Sequence, residues 1–200
     1  MTLHHLGLDA GQRERADLEH LLARAGHLVV AAGLAVRLAG THVVGTDERH
    51  WAGALELVGD RPDAGLVDRL AAQLPASVVL LPGGADGGAR EAATQLRDRS
   101  AGRLVQFPGQ DRLVGTVPAD DVPRLSAVEQ VVGLAGTATV GAALQTRGFV
   151  RPELSGGRIV LLVRPFVEDG TVAPFETEHP TPCCAAHDPR PVPGTAPVGG

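Results

Sequence analysis

Apolar positions recur along most of this chain at spacings that select local structure. Leu18, Leu21, Leu22 and Ala25 fall at i, i+3, i+4 and i+7, the stripe of a helix, with Asp9 placed to cap its start and Gly26 to stop it. From His27 to Gly45 the chain is apolar and punctuated by glycine. It fits either strands with a turn at Gly33, or a buried helix followed by one strand at 41–45, because a segment buried on both faces shows no period. Thr46-Asp-Glu reads as a cap, with Trp51, Leu55 and Val58 lining a short helix that ends at Gly59. Asp63 opens another helix, with Leu66, Val67, Leu70 and Leu74 turned inward.

The clearest unit follows. Ser77-Val-Val-Leu-Leu81 is a short apolar run, Pro82-Gly-Gly-Ala-Asp-Gly-Gly88 a glycine-rich loop, and residues 89–98 carry Ala92, Ala93 and Leu96 on one side. A buried strand, a loop and a helix in that order are the parts of a parallel α/β layer. Residues 103–107 and 112–117 read as a hairpin, as do 158–163 and 171–175 around Glu168-Asp-Gly170, with Pro174 marking an edge strand. Between them, Leu125, Val128, Val131 and Val132 suggest one helix and residues 138–146 another. The expected architecture is a single α/β or α+β domain over residues 1–178, with a mixed sheet and packed helices. From His179 onward six of 22 residues are proline and no apolar period survives, so 179–200 reads as a disordered, flexible tail.

Composition narrows the function classes. All 18 basic residues are arginine, Lys, Asn and Tyr are absent, and Ile159 is the sole isoleucine, a bias that fits a GC-rich genome better than a selected chemistry. A net charge of −5, with arginines scattered singly, gives no footprint for nucleic acid or an anionic membrane. The longest apolar stretch, 28–39, is well short of the ~20 residues needed to span a bilayer. No cationic leader precedes an apolar segment and only two cysteines occur, so a cytoplasmic protein is expected.

Two segments carry candidate chemistry. A strand that turns through glycines into a helix N-terminus presents backbone N–H groups and the positive end of the helix dipole, which suits phosphate or a nucleotide. The candidate binding residues are Gly83, Gly84, Asp86, Gly87 and Gly88, Asp86 being placed to hold a ribose hydroxyl or a magnesium-bound water. The loop lacks the Gly-Lys-Ser/Thr ending of a P-loop and the spaced glycines of dinucleotide folds, and a plain strand-to-helix turn is the preferred reading of the loop itself. Cys183, Cys184 and His187 are the candidate metal ligands. Adjacent thiols suit tetrahedral zinc poorly, and incidental thiols on a tail are the preferred reading.

The run Val78-Val-Leu-Leu-Pro-Gly-Gly-Ala-Asp-Gly-Gly-Ala-Arg-Glu91 resembles the Leu-Leu-x-Gly-Gly-x-Asp-Gly-Gly segment of glutamate mutase L proteins. That resemblance, extended over residues 28–130, implies an actin-like ATPase superfamily fold and an accessory role beside adenosylcobalamin-dependent mutases. Such ATPases carry an N-terminal Asp-x-Gly-Ser/Thr phosphate hairpin, whereas this chain is expected to begin with a helix, so ATP hydrolysis is not implied. Three functions are therefore expected in order: a non-catalytic accessory or ligand-binding domain using the glycine-rich loop; a small metal- or thiol-dependent protein using the Cys-Cys cluster; and an interaction protein that binds a protein partner or itself.

Overall fold

A computed structural model describes residues 2–60, 62–63, 65–85, 87–166 and 170–178. The chain opens not with a helix but with strand β1 (Thr2–Gln12), and Asp9 lies on that strand instead of capping a helix. Leu6 and Leu8 turn to one face of the sheet, while Gly7 turns to the other, where α3 lies. Helix α1 (Arg15–Ala31) follows and runs past Gly26. A glycine inside a helix costs about 1 kcal/mol relative to alanine, but the buried Val29 one turn later holds the last turns on the sheet. The ambiguous 28–45 segment is thus the end of α1, a turn at Gly33 (φ +84°) and strand β2 (Ala35–Val44).

The expected helix over 46–59 is instead strand β3 (His50–Gly59), paired antiparallel with both β1 and β2. Six consecutive residues, Ala52 to Leu57, are buried there, so no alternation marks the strand in the sequence. Helix α2 (Leu66–Gln73) and strand β4 (Ser77–Leu80) follow where expected, but β4 lies at the edge of the sheet with only Val79 buried and is not the fully buried strand that its apolar run suggests. The order β4-β1-β3-β2 is that of a split β-α-β motif, with all three neighbouring pairs antiparallel. The strand–loop–helix unit therefore exists, but β4 enters an antiparallel layer and not a parallel one.

Helix α3 (Gly88–Asp98) lies on the face opposite α1 and α2. On one face Leu6, Leu8, Leu55 and Leu57 pack with Leu18, Leu22 and Leu70. On the other, Leu38, Ala52 and Ala54 pack with Ala92 and Leu96, and this core runs on into the second half of the chain. The alanine stripe of α3 allows very close approach: a Cβ on Gly7 would lie 1.8 Å from the Ala89 carbonyl oxygen.

The sheet then continues through β5 (Arg103–Gln106), β6 (Thr116–Pro118), β7 (Gln130–Gly133), β8 (Ala143–Gln145), β9 (Glu153–Ser155), β10 (Arg158–Pro165) and β11 (Thr171–Pro174). Residues 103–117 are not a hairpin, since β5 pairs with β2 and β9 while β6 pairs with β8. Phe107 and Leu113, both buried, anchor the intervening turn in the core. The helix expected near Leu125 is only the single turn α4 (Val122–Leu125), after which the Ser126 hydroxyl donates to the Val122 carbonyl and the chain turns into β7. The helix expected over 138–146 is replaced by β8. The β10–β11 hairpin forms as read, its Glu168-Asp169 tip lying outside the described residues. Strand β11 is not an edge, because β8 pairs with it in parallel, as β7 does with β10. The result is an eleven-stranded mixed sheet with packed helices, an α/β architecture. No helix among the described residues is long and apolar enough to cross a membrane.

Candidate functional site

The glycine-rich loop stands exposed at one end of the sheet, between β4 and α3. Gly84 has φ +89°, and a Cβ there would meet Val79 Cγ1 at 2.6 Å, so the position tolerates only glycine. The Arg90 guanidinium reaches back from the first turn of α3 and donates from Nη1 to the carbonyls of Pro82, Gly83 and Gly84 at 3.1, 2.8 and 3.2 Å. With the carbonyls gathered inward by this one side chain, the loop holds its shape without a strand partner. Gly87, at φ +149°, is the residue before α3, and among the described residues no side chain makes a capping hydrogen bond there. Asp86 lies outside the described residues, as do Cys183, Cys184 and His187. Among the described residues, no group of three or more metal-ligating side chains comes together.

The fold brings to this loop two residues that the sequence reading did not select for it, Asp9 and His50. Asp9 sits near the end of β1, and its Oδ2 lies 2.2 Å from where a Cβ on Gly88 would be. Only a glycine lets the first residue of α3 pass beneath that carboxylate. Asp9 Oδ1 also accepts from the Gly11 N–H at 2.9 Å. At the start of β3, His50 Nε2 lies 3.0 and 3.1 Å from the two Asp9 oxygens, and Nδ1 lies 3.0 Å from the Glu48 carbonyl. Both partners accept when Asp9 is ionised, an arrangement that favours the doubly protonated, positively charged ring. The hydrogen bond to the Glu48 carbonyl, and then that to Asp9, raise its pKa above the ordinary histidine value. With both nitrogens engaged, His50 offers no lone pair to act as a base while the pair is intact.

A polar seam runs from this corner along α3. Glu91 Oε2 accepts from the Gly45 N–H at 3.1 Å, and Gln95 Nε2 donates to Glu91 Oε1 at 3.1 Å. Gln95 Oε1 in turn takes the Nδ1–H of His42 at 3.2 Å. His42 is fully buried, and burial lowers its pKa to about 4 against the raising effect of Gln95 and the Ala101 backbone. Its Nε2 has no partner among the described residues.

Asp9 and His50 are 41 residues apart, and no local spacing links them. The one available signal was Asp9-Ala10-Gly11 after an apolar run, which is masked when the segment is read as a helix cap. Neither the models of known protein families nor the curated proteins match the chain.

Proposed function

We propose that this chain is a non-catalytic, cytoplasmic accessory domain that binds a phosphate-bearing small molecule, an adenine nucleotide foremost, at the Gly83–Gly88 loop. The observation that carries the reading is the convergence of an exposed glycine loop, a helix N-terminus without a side-chain cap, and an ion-paired carboxylate at one corner of the fold. A phosphate set against the first-turn amides of α3 meets the positive end of the helix dipole. The Asp9 carboxylate alone would repel it, but the His50 imidazolium offsets that charge.

Magnesium ADP, ADP alone and inorganic phosphate, each compared by thermal unfolding, test the reading. Ligand at ten times its Kd stabilises the native state by about 1.4 kcal/mol. His50→Gln leaves Asp9 uncompensated and weakens binding, and wild-type binding declines as pH rises through the elevated His50 pKa. The absence of any shift at millimolar nucleotide and phosphate would sink the proposal.

A further inference from the structure

Strand β2 is covered along only part of its outer edge. Strand β5 pairs with it from Thr41 to Ala39, and the chain then leaves, because Phe107 turns into the core on the α3 side. Residues 35–38 pair with β3 on one side and have no strand on the other among the described residues. An open edge of this kind presents unpaired backbone N–H and C=O groups to an extended segment that reaches it. Over the same stretch α1 and the sheet enclose a groove of about 600 Å³ on the face opposite α3, with Ala23, Gly26 and Val30 on the helix side and Val36 and Val105 on the sheet side. His27 and Gln106 also line it. That mixture suits a peptide, which brings apolar side chains together with backbone groups that need partners.

The described residues end at the mouth of this groove. Glu176 pairs with Arg15 at the start of α1 and with Arg103 in β5, which fixes the exit of the chain there. Two residues on, Glu178 lines a neighbouring cavity that shares Glu19 and Arg151 with the groove. In the sequence that follows, prolines at 180, 182, 189, 191, 193 and 197 leave one run longer than three residues, 183–188, in which every residue keeps the N–H that strand pairing needs. No Asp, Glu or Arg falls within 179–187, and Cys183, Cys184, Ala185 and Ala186 are small enough for a space walled by Ala23 and Gly26. The reach is sufficient: the five residues from Glu178 to Cys183 extend to about 18 Å at most, against about 16 Å for the α1 surface from Glu19 to Val30.

We propose that residues 183–187 dock in the α1–β2 groove of their own chain, as an added strand on the open edge of β2, antiparallel to it and in line with β5. Strand side chains alternate between faces, so one of the two adjacent thiols turns under α1 and the other away from it. The site is separate from the glycine loop and stands or falls independently of it.

Alkylation of the native full-length chain by iodoacetamide, followed by mass spectrometry on the wild type and on Cys183→Ala and Cys184→Ala, reads the docking. One thiol is expected to react at the rate it shows in denaturant, and the other at least about tenfold more slowly. Ala23→Phe and Val30→Glu, both at exposed positions of α1, block the groove while circular dichroism stays that of the wild type, and either one brings the slow thiol to the fast rate. The proposal is overturned if the two thiols react alike in the native chain, or if the slow one stays slow in the folded groove variants. Protection that fades on dilution, as light scattering falls from dimer to monomer mass, places the segment in the groove of a second copy and overturns docking within one chain.

Discussion

Replacing Gly7 by alanine abolishes cooperative folding, whereas the same replacement at Gly26 leaves the protein as stable as before or slightly more so. The two glycines differ in what faces them. At Gly7 the added methyl would sit 1.8 Å from the Ala89 carbonyl oxygen and 2.6 Å from its carbon, both backbone atoms of α3. Neither can rotate away, so α3 must lift from β1 and β3, and the Ala92 and Leu96 packing beneath it opens. A cost of about 4 kcal/mol or more is expected, a large part of the stability of an ordinary domain. At Gly26 the nearest contact would be Val36 Cγ2 at 3.7 Å, an ordinary separation, and alanine recovers up to about 1 kcal/mol of helix propensity. Thermal denaturation of both variants decides it; a Gly7→Ala protein that melts within a few degrees of the wild type contradicts the close helix-on-strand contact.

Acidification from neutral pH to pH 4 is expected to remove about 3 kcal/mol of stability through His42 alone, whose pKa falls from 6.5 to about 4 on folding. Burial keeps this ring neutral in the folded protein, so between those two values the unfolded chain binds the extra proton and stability falls as pH falls. Its contribution is complete above 6.5 and gone below about 4. Buried Glu56 adds a smaller effect at lower pH. Burial opposes its charge, but hydrogen bonds from His5 and Arg37 and the Arg37 charge hold its carboxyl below the usual range, so its contribution is lost as the pH drops through that lowered value. His50 acts in the opposite direction: its raised pKa stabilises the fold at low pH and ceases to as pH rises through that value. Urea denaturation across this range, on the wild type and on His42→Leu, separates the terms. The variant is expected to have the shallower slope between pH 6.5 and 4, and identical slopes would contradict a neutral buried His42.

What the sequence made legible follows from where each element is buried. Helix α2, the β4–loop–α3 unit and the β10–β11 hairpin could be read because each has one buried face, or a short apolar run bounded by turn residues. Strand β3 could not. Helices cover both of its faces, and Trp51, Leu55 and Val58 happen to fall at helical spacing within a strand where Ala52 and Ala54 face α3. Strand β1 was hidden for a related reason: Gly7 supplies the close approach to α3 by having no side chain, which leaves only Leu6 and Leu8 to signal a period. The corner beside the loop needs both of these strands. With β1 and β3 hidden, Asp9 reads as a helix cap and nothing singles out His50, although the glycines of the loop are visible in the sequence. The Asp9–His50 pair is a product of topology, made where the end of β1 meets the start of β3 beneath α3.

The most direct test of the account follows the backbone amides of isotope-labelled protein as magnesium ADP is titrated in at neutral pH. Phosphate binding at the N-terminus of α3 predicts saturable movement of the Gly84, Gly87, Gly88, Ala89 and Arg90 resonances, with the His50 ring moving alongside them. Amides of the loop that stay fixed at millimolar nucleotide, whether or not resonances move elsewhere, contradict it.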